Sequence, residues 1–202
     1  MNLSLFNANN LVAAYKKKNY VIRTYPYRLN IFGIRDSYAF TNLFVDAIGV
    51  FYYDDCNELK FVGPYNVTTL PGKYWMEHPM NTKGCGILVP GQYQEVWAVG
   101  LHKGEYKALV QVGNFKVWRD KNDNDIYDTD DSTIDTGSNF CIELHHAADD
   151  HISYQNDKWS AACQVMPNPD DHANIMLLAG VQVKQNLTRF DYTLFMKSDI
   201  LS

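Results

Sequence analysis

The chain has no run of apolar residues near the roughly 18–20 needed to cross a bilayer, so no membrane span is expected. It also lacks a dense Lys/Arg cluster. Its 18 basic residues are outnumbered by 23 acidic ones, for a formal charge of −5. Proteins that grip phosphate backbones depend on clustered cations, so no nucleic-acid partner is expected. Cysteine is sparse: Cys56, Cys85, Cys141 and Cys163 stand far apart with no CxxC pair. That spacing, in a chain long enough to bury its own core, argues against a disulfide framework. The stretch Met1–Asn7 has neither a basic leader nor an apolar signal core, so the expected location is cytoplasmic as synthesised. For a role at a cell wall, a virion or lysis machinery would have to deliver the protein. Repeats, low-complexity tracts and linkers are all missing, which leaves one domain over 1–202.

Aromatic residues are abundant. Tyr 14, Phe 10 and Trp 4 lean the chain toward sheet, and 46% hydrophobic with 20% charged content suits a globular core. A short helix is predicted from Asn9 to Lys18, with Leu11, Val12 and Tyr15 on one face and Lys16-Lys17-Lys18 at its end. Extended segments follow at Tyr20–Arg23, Leu29–Ile34, Phe44–Tyr53, Leu59–Thr69 and Gln94–Gly100, separated by Pro, Gly and Asp. Tyr106–Gln111 and Phe115–Trp118 read as a hairpin about Gly113-Asn114. Asp120 to Ser138 reads as a polar surface loop, and Phe140–His145 as a strand. Asn168-Pro169-Asp170-Asp171 has the cap, proline and acids of a helix start. Ala173, Met176, Leu177 and Gly180 carry that helix to about Gln185, and Phe190–Phe195 closes as a strand. The expected fold is mainly β, of the α+β kind, with a helix near each end.

Reactive side chains are densest between Cys141 and Cys163, a stretch that includes Glu143, His145, His146, Lys158 and Ser160. A cysteine nucleophile needs a base that can hold its thiolate, and small neighbours that leave the sulfur and nearby amides accessible. Ser160-Ala161-Ala162 supplies the small residues before Cys163, and His145 ends a predicted strand. The same pattern also suits an inert buried cysteine and a packed histidine.

His145, the fifteen-residue step to Ser160, and Ser160-Ala161-Ala162-Cys163 resemble the signature of L,D-transpeptidase (YkuD-like) catalytic domains. That signature places a histidine on a strand and then, after a gap of this size, Ser/Thr-His-Gly-Cys. Val67–Tyr74 resembles the family's Thr-Pro-x-Gly-x-Phe segment, and the acid-capped helix after the cysteine is similar too. The chain is also similar to phage and Bacteroidetes-type proteins over Leu29–Arg35, Pro90–Tyr93, Ala108–Gln111, Arg119-Asp120 and Trp159–Gln164, a WSA(G/A)CQ variant. The resemblance implies a β-sandwich or barrel of mixed sheets over 44–202, with 1–43 as an N-terminal extension holding a helix and strands. It implies that Cys163 attacks a peptidoglycan stem peptide, with His145 as base, Ser160 in the motif, and the Ala162 and Cys163 amides holding the oxyanion. Hydrolysis and cross-linking both remain open, as does a non-enzymatic virion or wall-binding protein that retains the fold. The family's His-Gly before the cysteine is Ala161-Ala162 here, and the arginine often found two positions after it is Val165.

No cofactor is required by this chemistry. Two metal readings arise from the residues. His146, His151 and His172 with Asp149 and Asp150 have zinc-like donors but no zinc-motif spacing. Asp120, Asn122, Asn124, Asp128 and Asp131 fall at positions one, three, five, nine and twelve of a calcium-type loop, without its Gly or final Glu. Structural calcium and a solvated acidic turn are the two readings of that loop.

Overall fold

The computed structural model describes residues 1–38, 42–121, 124 and 126–201. In chain order its elements are α1 (Ala8–Lys17), β1 (Asn30–Arg35), β2 (Asp46–Tyr53), β3 (Leu59–Val67), α2 (Lys73–Glu77), β4 (Cys85–Leu88) and β5 (Gly91–His102). Then come β6 (Tyr106–Gln111), β7 (Phe115–Asp120), β8 (Asp135–Gly137), β9 (Leu144–His146), β10 (Gln164–Met166), α3 (Pro169–Lys184), β11 (Phe190–Met196) and α4 (Ser198–Leu201). One mixed sheet runs β10-β9-β6-β5-β11-β1-β2-β3, and a smaller one runs β4-β7-β8. The protein is mainly β, and an α+β sandwich or barrel describes it.

The large sheet nearly closes on itself. Just past β3, Thr68 bridges Val165 of β10, with Thr68 N–H to Val165 O at 2.9 Å and Val165 N–H to Thr68 O at 3.1 Å. The two ends of an eight-stranded order therefore meet, which leaves fewer unpaired edge groups. Val165 is also the register partner of His145, so the seam lies against the predicted reactive cluster.

The first part of the chain is woven into this sheet through β1, which sits between β2 and β11. Asn7 caps α1 by accepting the Asn9 and Asn10 amides. The helix then lays Leu11, Ala14 and Tyr15 on the sheet, with Tyr15 edge-on to Phe51 and Phe195 at 5.2 Å each. The other main core gathers around the fully buried Trp97, whose indole donates to Ile142 O at 2.8 Å. Arg35 is also fully buried, and its guanidinium donates to Thr69 Oγ1, Thr69 O and Leu88 O. Asp46 accepts from Thr69 and from the Asp36 amide, so the buried charges answer each other and pin the 68–72 segment to the sheet.

Four sequence expectations are corrected. Tyr20–Arg23 forms no strand, because Val21 exchanges both backbone hydrogen bonds with the Gln92 side chain instead of a neighbouring strand. Gly113-Asn114 joins no hairpin: β6 pairs with β5 and β9, whereas β7 crosses to the second sheet, and Val112 and Gly113 both donate to Val96 O. The polar 120–138 segment contains β8, paired to β7. Phe140–His145 extends only from Leu144, because Cys141 takes the left-handed conformation at φ 54° and breaks the pairing.

The end helix was placed correctly but turned wrongly. Asn168 caps α3 by accepting from the Asp170 amide at 3.1 Å. The buried face is His172, Ile175, Ala179 and Gln182, whereas Ala173 and Leu177 face outward. Gln182 can be buried because it accepts from Leu29 N–H and donates to Leu187 O and Arg189 O.

Candidate active site

Four neighbours clamp the turn that carries Cys163. Ser160 is fully buried, and its hydroxyl donates to Cys163 O at 2.8 Å while its own carbonyl accepts from Gly72 N–H at 2.8 Å. A Cβ on Gly72 would fall 2.1 Å from Asp157 O, so only glycine allows this approach. The Trp75 indole of α2 donates to Lys158 O at 2.9 Å. Gln164 donates to Ala162 O at 3.2 Å and accepts the Tyr192 hydroxyl at 2.7 Å, tying the turn to central strand β11. Ser160 thus has its hydroxyl committed to the turn itself. Among the described residues, no acceptor meets the backbone amides of Ala162 and Cys163. Two amides left free beside a sulfur are what an oxyanion site requires.

Cys163 and His145 line one cleft of about 690 Å³. Its walls come from α2, the 80–86 segment, β7, the β5–β6 turn, the 139–145 segment and the Lys158–Cys163 turn. The half-buried thiol of Cys163 donates to Cys141 O at 3.2 Å and accepts from Glu143 N–H at 3.5 Å. Burial pushes this thiol up to about 12, so the unliganded site holds it protonated. His145 is buried, and its Nδ1 faces His146 O at 2.7 Å, which assigns the ring proton to Nδ1 and the lone pair to Nε2. No hydrogen bond reaches that Nε2 among the described residues, and none joins it to Cys163. Burial, then the neighbouring His102, brings His145 down to about 3. The structure therefore places the expected pair in one cleft but does not close a thiol–imidazole contact.

The sequence reading missed a second imidazole. His102, at the end of β5, has its Nδ1 2.6 Å from Glu143 Oε2 and stacks on His145 with ring centroids 4.0 Å apart and planes 18° apart. Both His102 and Glu143 line the cleft. Behind them, Tyr106 stacks on His146 at 3.9 Å and donates to His146 O at 2.9 Å. His146 meets His172 edge-on at 5.0 Å, and burial lowers His172 to about 4. His102 and Glu143 are 41 residues apart; Glu143 falls in the reactive Cys141–Cys163 stretch, whereas the sequence signal of His102 is that it lies beside a predicted strand.

The metal expectations fare differently. His151 is exposed and pairs only with adjacent Asp150, at 2.7 Å, and His146 lies 3.5 Å from Asp149. Among the described residues the three-donor group is Asp54, Asp55 and Cys56, away from these histidines. In the 120–131 loop, Asn122 and the side chain of Asp131 lie outside the described residues. Asp120 is buried and its Oδ2 accepts from Asp128 N–H at 2.9 Å, while Asn124 Oδ1 accepts from Ile126 N–H at 3.0 Å. Asn124 Oδ1 and Asp120 Oδ2 are thus turned onto the loop's own backbone.

The cleft is basic within an acidic chain. Lys103, Arg119 and Lys158 line it with Glu143 as the acidic counterpart, and Trp75 and Trp159 add aromatic surface. Arg119 is held by Asp135 through Nε at 2.9 Å, with its guanidinium over the Phe140 ring. Comparison of the chain with protein-family models, curated proteins and solved structures finds no match. Among the described residues, no helix is long and apolar enough to cross a membrane.

Proposed function

We propose that the protein carries out cysteine-dependent acyl transfer or hydrolysis on peptidoglycan stem peptides. The observation that carries this reading is one cleft holding Cys163, a pair of stacked imidazoles and the two free amides of Ala162 and Cys163. Cys163 Sγ attacks the stem-peptide carbonyl and passes its proton to a cleft imidazole, and the free amides bind the oxyanion. As the C–N bond breaks, the imidazole returns the proton to the departing amine, leaving a thioester. Water then gives hydrolysis, and a second amine gives a cross-link. Lys103 and Lys158 on the cleft wall, beside an Arg119 already paired with Asp135, suit a peptide that bears free carboxylates. The choice of peptidoglycan, the phage association and delivery by a virion or lysis machinery rest on the sequence resemblance.

One observation favours a second reading, a non-enzymatic virion or wall-binding protein. The Cys163 thiol donates to Cys141 O, and among the described residues no hydrogen bond joins it to a histidine. Incubation of wild type and Cys163→Ala with a tetrapeptide stem separates the two. The enzyme reading expects turnover by the wild type only, with equal melting temperatures. Turnover that survives in Cys163→Ala, or is missing from both proteins, refutes it.

A further inference from the structure

We infer that the proton-carrying imidazole of this cleft is His102, oriented by Glu143, with His145 as its stacked, neutral neighbour. The inference rests on the cysteine-dependent reading of the site and names its acid–base group. Glu143 is the structural link: its backbone N–H touches Cys163 Sγ at 3.5 Å, while its carboxylate holds His102 Nδ1 at 2.6 Å. A carboxylate on one ring nitrogen fixes the tautomer, directs the other nitrogen outward, and supplies a counter-charge when the ring becomes an imidazolium. His102 has both features and opens on the cleft. His145 has neither. Its Nδ1 is spent on a backbone carbonyl, it is 2% exposed, and a charge placed on it would be buried against a second ring.

The other groups around His102 are consistent with this division. Tyr106 lies across the hairpin at 5.3 Å between ring centroids, Lys103 follows in the chain, and His145 covers one face. Glu143 is the acid that meets the ring directly. A proton leaving the Cys163 thiol therefore finds its counter-charge at the His102–Glu143 pair. The stack in turn holds His102 in plane, as a positioning contact.

The test reads proton transfer without any peptidoglycan substrate. The full chain is treated with iodoacetamide from pH 5 to 9, and alkylation of each cysteine is followed by peptide-resolved mass spectrometry. In this step Cys163 sulfur bonds to the acetamide carbon, the C–I bond breaks with loss of iodide, and the thiol proton goes to His102. Wild type is expected to show a step in the Cys163 rate within this range. His102→Gln should remove that step and slow Cys163 at pH 7 by about tenfold or more, within the span of general base effects. Glu143→Gln, which keeps the shape of the side chain, should displace the step, and the exposed Cys56 should react alike in all variants. A melting curve for each variant confirms the fold. A step that persists unchanged in His102→Gln, or one lost only in His145→Gln, overturns this inference and leaves the proposed function standing. A wild type with no step at Cys163 overturns both.

Discussion

Acid should unfold this protein through its buried histidines, and the size of the effect follows from their surroundings. Burial lowers His145 to about 3 and His172 to about 4, both well below the ordinary histidine value. An unfolded chain titrates each near ~6.5, so between the folded and unfolded values it binds more protons than the native state. Stability contributed by these groups is therefore complete above ~6.5 and falls as pH drops below it. Each group gives a slope of about 1.4 kcal/mol per pH unit inside its window, so the pair removes about 5 kcal/mol between pH 7.5 and 4.5. That is comparable with the whole stability of a typical domain, about 5–15 kcal/mol. His146, also lowered by burial, adds in the same direction, whereas Asp46, raised by burial, opposes it at the acid end. Urea unfolding followed by tryptophan fluorescence at pH 7.5, 6.5, 5.5 and 4.5 measures the slope. His172→Gln, whose amide can still donate to the Leu144 carbonyl, should remove about half of it. A stability at pH 4.5 within about 1 kcal/mol of that at pH 7.5 would refute the reasoning.

Gly72→Ala drives a Cβ into the Asp157 backbone and disturbs the Gly72–Ser160 hydrogen bond, at a cost of about 2–4 kcal/mol. Calorimetry should show a melting point lower by roughly 5–12 °C, together with faster alkylation at Cys85, whose sulfur reports on Ala161 O. An unchanged melting point would mean that the turn is not clamped as described. On α3, Ile175→Ala should cost about 2–5 kcal/mol and Leu177→Ala less than about 0.5 kcal/mol in denaturant titrations. The reverse order would restore the face read from periodicity. If the 120–131 loop holds calcium, a chelator should lower the melting point and added calcium should restore it; an unchanged melting point would dispose of that site.

The long elements were legible because their own residues decide them. Asn168 announces a helix start by offering a side-chain oxygen to the first free amides, and it caps as expected, whereas the Asn7 cap was not singled out. Runs such as Asp46–Tyr53 and Phe190–Met196 are long enough for β-branched and aromatic content to show. β4 and β10, of four and three residues, exist because a neighbour pairs with them, and no local pattern marks them. Gln182 and His172 on the buried face of α3 defeat any apolar count, because their burial is permitted by distant partners. The site divides in the same way. Cys163 and His145 stand out by motif, whereas the His102–Glu143 pair arises only when β5, β6 and β9 stack side by side.

The order of the large sheet also sets when the protein can become whole during synthesis. Residues 190–196 form the strand between β5 and β1, so without them β10-β9-β6-β5 and β1-β2-β3 are joined at the Thr68–Val165 seam but not at their inner edges. A nascent chain must carry both halves with raw inner edges until this strand clears the ribosome. An interruption anywhere before Phe190 leaves two adhesive edges in place of one closed sheet. Chaperone demand and losses to premature termination should therefore be set by the interval before residues 190–196 emerge.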